Sequence, residues 1–126
     1  MLIRLTDEFE PARVHYQKAG AYLYQHPIDE GNSIKEIISA VESVARAIAP
    51  KAATLGDAIK VLRKDARFSP YMLDALERLY VFGNATPQVR HGHAKPGKPL
   101  LAEAELAHTL GIAFILYLIK VARTGA

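Results

Sequence analysis

Arg90-His91-Gly92-His93 puts a guanidinium and two imidazoles within four consecutive residues. An imidazole titrates near neutral pH and can take a proton from a ribose hydroxyl or return one to it. A guanidinium grips a phosphate through paired N–H bonds and steadies charge that develops on it. Metal-independent RNA cleavage needs these groups: the 2′-hydroxyl attacks the neighbouring phosphate, a base removes its proton, an acid protonates the leaving oxygen, and a cation stabilises the intermediate. Between positions 78 and 102 the chain carries Arg78, Arg90, Lys95 and Lys98 and no Asp or Glu. The competing reading is a basic surface loop, in which Lys95 and Lys98 are solvated charges that add salt-dependent phosphate affinity.

The other chemical signals are sparser. His15 and His26 stand alone on helical segments, where a packed or solvated role is the ordinary one, while His108 precedes the apolar part of the last helix and is placed to turn toward the loop. No acid lies near His91 and His93 and no His-x-x-x-His pair occurs, so no metal site is expected. Gly92 and Gly97 form neither a phosphate loop nor a dinucleotide fingerprint, and no cofactor is expected. With no cysteine, disulfide scaffolds, cysteine-type zinc sites and cysteine nucleophiles are excluded.

Positioning these groups requires a scaffold, and 126 residues, half of them hydrophobic, supply one domain with the material for a core. The hydrophobic spacing reads helical almost throughout. A first helix is expected over 10–25, with Pro11 in its opening turn. Ile34, Ile37, Ile38, Val41, Val44, Ala45 and Ile48 share one face of a second helix, with Ser33 to Glu36 as a capping box and Pro50 as the stop. Thr54 caps a short third helix, and Ser69-Pro70 opens a fourth that Gly83-Asn84 closes. Positions 85–99, with three prolines and two glycines, read as loop. The last helix is expected over 100–123. It is apolar on nearly every side, which means either a central helix covered by the other four or a second face pressed on a partner subunit. The result is a four- to five-helix, all-α bundle.

The net charge of +3 is too small to announce a nucleic-acid binder by itself; the positive charge is local. Arg4 is followed by too few apolar residues before Asp7 and Glu8 to make a signal peptide, and the apolar run 110–121 is short of the ~20 residues of a membrane span. A cytoplasmic protein with no membrane association is expected. Positions 1–10 read as the stub of a linker to an upstream domain.

Four stretches in register, Ser33 to Glu42, Thr54 to Ile59, Ala75 to Tyr80 and Val89 to Gly92, resemble prokaryotic HEPN domains of the abortive-infection type. The matched order runs from about position 19 to 118. The resemblance implies an all-α bundle, usually a homodimer, with a site near the start of the last helix. Many such domains are ribonucleases in phage-defence or toxin–antitoxin systems, and others have lost catalysis and bind RNA or nucleotides. The family motif is an arginine, often followed by a polar residue, with a histidine four to six intervening residues later. Arg90-His91 matches its opening, while positions 95 to 97 are Lys, Pro and Gly; His93 or His108 would have to substitute. Glu42 would either anchor Arg90 or pair with Arg46, and Asn84 would cap the fourth helix or line the site. Two functional expectations follow. One is an RNA-binding dimer, with or without cleavage, that answers to an antitoxin or an upstream domain; the other is an inert dimerisation or regulatory domain that binds a partner protein or nucleotide.

Overall fold

Ile34, Ile37, Ile38, Val41 and Val44 are all essentially inaccessible to solvent. They form the apolar side of the second helix, and the rest of the bundle is laid around it. The structure, a computed structural model, describes residues 7–86 and 98–124. After a 3-10 turn at Asp7–Phe9 come α1 (Glu10–Tyr24), α2 (Glu30–Ile48), α3 (Leu55–Leu62), α4 (Pro70–Ala85) and α5 (Leu101–Thr124). No strand occurs among the described residues, and the architecture is an all-α bundle of five helices. α1 and α5 lie against α2 and meet each other over a short stretch, while α3 and α4 close its remaining side.

Most helix ends follow the expected chemistry. Thr54 accepts a hydrogen bond from Asp57 N at 3.1 Å, and Ser69 accepts one from Met72 N at 3.4 Å with Pro70 in the first turn. Two ends differ. The capping box expected at Ser33 to Glu36 does not form, because α2 starts one turn earlier, where the Asp29 carboxylate accepts from Asn32 N at 3.1 Å. Ser33 is buried inside the helix and its hydroxyl donates to the Ala19 carbonyl at 2.8 Å, tying α2 to α1. Nor does Gly83-Asn84 end α4. The helix runs through both residues to Ala85, and Thr86 closes it with its amide and hydroxyl on the Phe82 carbonyl. Gly83 is there for closeness: a Cβ on it would stand 2.2 Å from Ile38 Cδ1.

Of the two readings of the last helix, α5 does not fit the one in which it is central and covered by the other four. The central helix is α2. α5 packs on it, with Ala104, Ala107, Ile115 and Leu118 buried and Gly111 against Ile37. The opposite face keeps Leu106 60% exposed, Leu110 36% and Leu116 39%. At 24 residues α5 is also longer than the run 110–121, and by length and composition it is apolar enough to cross a membrane. Part of that stretch is already buried within the bundle.

Candidate functional site

Arg90, His91, His93 and Lys95 lie outside the described residues. The residues that flank them are in place. Arg78 is exposed on α4 and makes no hydrogen bond or ion pair among the described residues. Lys98 does not stand as a purely solvated charge: its Nζ lies 3.5 Å from Glu30 Oε2, and Glu30 is buried at the start of α2. The lysine side chain stays 63% exposed, so the pair adds little, and at the entrance to α5 Glu103 Oε1 accepts from Leu100 N at 2.8 Å.

Glu42 has a structural task that neither sequence reading contained. Its Oε2 accepts from Leu55 N at 2.8 Å, so that it and Thr54 together satisfy two free amides at the start of α3. Arg46, the alternative partner, instead donates from Nε to the Ala52 carbonyl at 3.1 Å. Asn84 is half-buried in the last turn of α4, and the cap is Thr86.

His108 faces α1. Its ring stacks on Tyr16, with centroids 5.9 Å apart and planes inclined by 25°. Burial disfavours the imidazolium and holds the pKa below the ordinary 6.5. Its Nε2 is sealed from solvent with no hydrogen-bond partner among the described residues, and a Cβ added to Gly20 would stand 3.9 Å from that nitrogen. Beside this pair runs a groove of about 540 Å³. α1 contributes Tyr16, Gln17, Gly20, Ala21 and Tyr24, and α5 contributes His108, Thr109, Ile112 and Ala113. Both sets recur at one- and four-residue steps, so each is a single strip of helix surface.

A second groove, of about 310 Å³, separates α4 from α5. Leu79, Phe82, Leu106 and Leu110 line it, and Arg78 and Glu103 stand at its rim. Elsewhere His15 Nδ1 and Glu36 Oε1 meet at 2.6 Å between α1 and α2. Among the described residues no three His, Asp or Glu side chains converge in a way that would hold a metal ion.

Comparisons with protein-family models, curated proteins and solved structures give no match. The chemistry of these two grooves therefore rests on the residues themselves. Sequence reasoning singled out His108 and missed Tyr16, Gln17, Tyr24 and Thr109. The signal was present as Tyr16, Gly20 and Tyr24 at four-residue steps on one side of α1, but nothing in it said that α5 would lie opposite.

Proposed function

We propose that the chain is a HEPN-type helical domain that acts as a two-fold dimer and binds RNA through its basic, acid-free segment. The carrying observation is the uncovered apolar strip of α4 and α5 with one cation and one anion at its rim. In a two-fold contact the same patch meets itself, so Arg78 of one copy can face Glu103 of the other while Leu106 and Leu110 are buried between them. The strip lies on the two helices, α4 and α5, that one chain segment joins. That segment includes Arg90, His91, His93, Lys95 and Lys98, and Arg78 lies in the preceding helix. A polyanion settling there would be held by cations from both subunits. His91 and His93 are the groups for proton transfer and Arg90 for the phosphate, should the site cleave what it binds.

A second reading, an inert dimerisation or regulatory domain, is supported by Lys, Pro and Gly at positions 95 to 97, where the motif has its histidine. One assay separates the two: a mixed RNA pool is incubated with the full chain, with and without EDTA, beside Arg90→Ala and His91→Ala. Cleavage that survives EDTA and is lost in either variant supports the nuclease. Binding that weakens steeply with salt and with Arg90→Ala, without cleavage, leaves an RNA-binding domain. If the chain neither binds nor cleaves at low salt, the RNA reading fails and the regulatory one stands.

A further inference from the structure

The groove between α1 and α5 differs in chemistry from the basic segment. Among the described residues no Asp, Glu, Lys or Arg lines it, so they offer a phosphate, carboxylate or ammonium nothing of opposite charge. It offers ring faces and neutral hydrogen-bonding groups. The stacking of His108 on Tyr16 shows that flat rings pack along this wall, and the exposed Tyr24 ring stands at its edge. Gln17 and Thr109, both at exposed positions, supply an amide and a hydroxyl that each donate and accept. The Nε2 of His108 lies beneath this wall, sealed from solvent and without a hydrogen-bond partner among the described residues. At about 540 Å³ the groove is in the size range of small-ligand sites.

The ligand that combines a flat uncharged ring with a polar edge is a nucleobase. We propose that the α1–α5 groove receives one unstacked base of single-stranded RNA, with Tyr24 as its stacking partner and Gln17 and Thr109 at its hydrogen-bonding edge. The ribose and phosphates stay outside, in solvent. This assignment rests on the RNA reading above and adds to it a place where the bases are held.

Two probes test it on the full chain: adenosine and uridine, which carry no phosphate, followed by amide NMR shifts, and a fluorescent ten-nucleotide RNA followed by anisotropy. Ala113→Trp fills the groove from an exposed position, and Tyr24→Ala removes a ring that is 77% exposed, so neither disturbs the core. The expected result is nucleoside shifts centred on Ala21, Thr109 and Ala113, weakened at least tenfold by Ala113→Trp, and RNA affinity lowered about fivefold or more by Tyr24→Ala. Nucleosides that leave those amides unmoved overturn the assignment. So does RNA binding that both variants leave intact, although the RNA reading then survives. Groove shifts with nucleosides in a chain that binds no RNA at any salt concentration keep the pocket and overturn the RNA reading.

Discussion

Gly111→Ala is the sharpest test of how α5 is seated. A Cβ at position 111 would lie 2.4 Å from Ile37 Cγ1, 3.2 Å from its Cδ1 and 3.6 Å from its Cβ. Ile37 is fully buried, and Cγ1 is too close to the backbone to swing clear, so either α5 retreats from α2 or Ile37 leaves its rotamer. Overpacking of this kind costs about 1–3 kcal/mol, and replacing a mid-helix glycine by alanine returns about 0.5–1 kcal/mol. The net expectation is a loss centred on about 1 kcal/mol, within a range of about 0–2.5 kcal/mol. For a chain of this size that lowers Tm by roughly 3–6 °C per kcal/mol. Gly20→Ala is the internal control, because its Cβ would meet only His108 Nε2 at an ordinary 3.9 Å. The same exchange there should raise stability by about 0.5–1 kcal/mol. Urea unfolding followed by circular dichroism measures both, with unchanged m-values as the check that the denatured states are comparable. Ile37→Ala alone should cost about 2–5 kcal/mol, and combined with Gly111→Ala it should cost less than the sum, since the new methyl enters the vacated space. A Gly111→Ala variant stabilised as much as Gly20→Ala, or full additivity with Ile37→Ala, would refute the close seating of α5 on α2 and with it the shape of the α1–α5 groove.

Three further outcomes are expected. Glu42→Ala should lower stability by about 0.5–2 kcal/mol through the lost cap on Leu55 N and leave RNA affinity unchanged; a drop in affinity that is non-additive with Arg90→Ala would instead place Glu42 in the site. His108, with its pKa held below 6.5, binds its proton more readily in the unfolded chain, so its share of the stability is complete above about pH 6.5 and is lost as pH falls through the folded value. Replacing it by Phe should flatten the fall in urea midpoint between pH 7 and pH 5, and an unchanged slope would show that other groups set it. Leu106→Glu, on the exposed face of α5, should convert a dimer to a helical monomer in light scattering; a wild-type chain that is monomeric at high concentration sinks the two-fold contact.

The helices and their approximate ends were legible because each carries its own periodicity and punctuation. The stripe from Ile34 to Ile48 appears wholly within α2, and Thr54 and Ser69-Pro70 cap the helices they precede. The misread ends have a common cause. Ser33 has the residue type of a cap, yet a hydroxyl is equally able to hold a neighbouring helix's carbonyl, and Asp29 was available one turn earlier. Gly83 has the residue type of a helix stop, yet a missing side chain serves equally for contact with Ile38. Glu42 was suspected as a functional acid at the edge of a stripe, and its partner proved to be the backbone of the next helix.

What the sequence determined by itself is the part governed by local spacing: an all-α chain of four to five helices in order, one strongly amphipathic helix and a cationic segment free of acids. Which helix is central, which face of α5 stays uncovered, and which strips of α1 and α5 meet beside His108 were decided only by the tertiary structure. The reason is physical. A helix fixes the directions of its own side chains through its 3.6-residue turn, whereas the partner that covers each side is chosen by long-range packing, in which small residues such as Gly83 and Gly111 let particular backbones approach and leave other faces open.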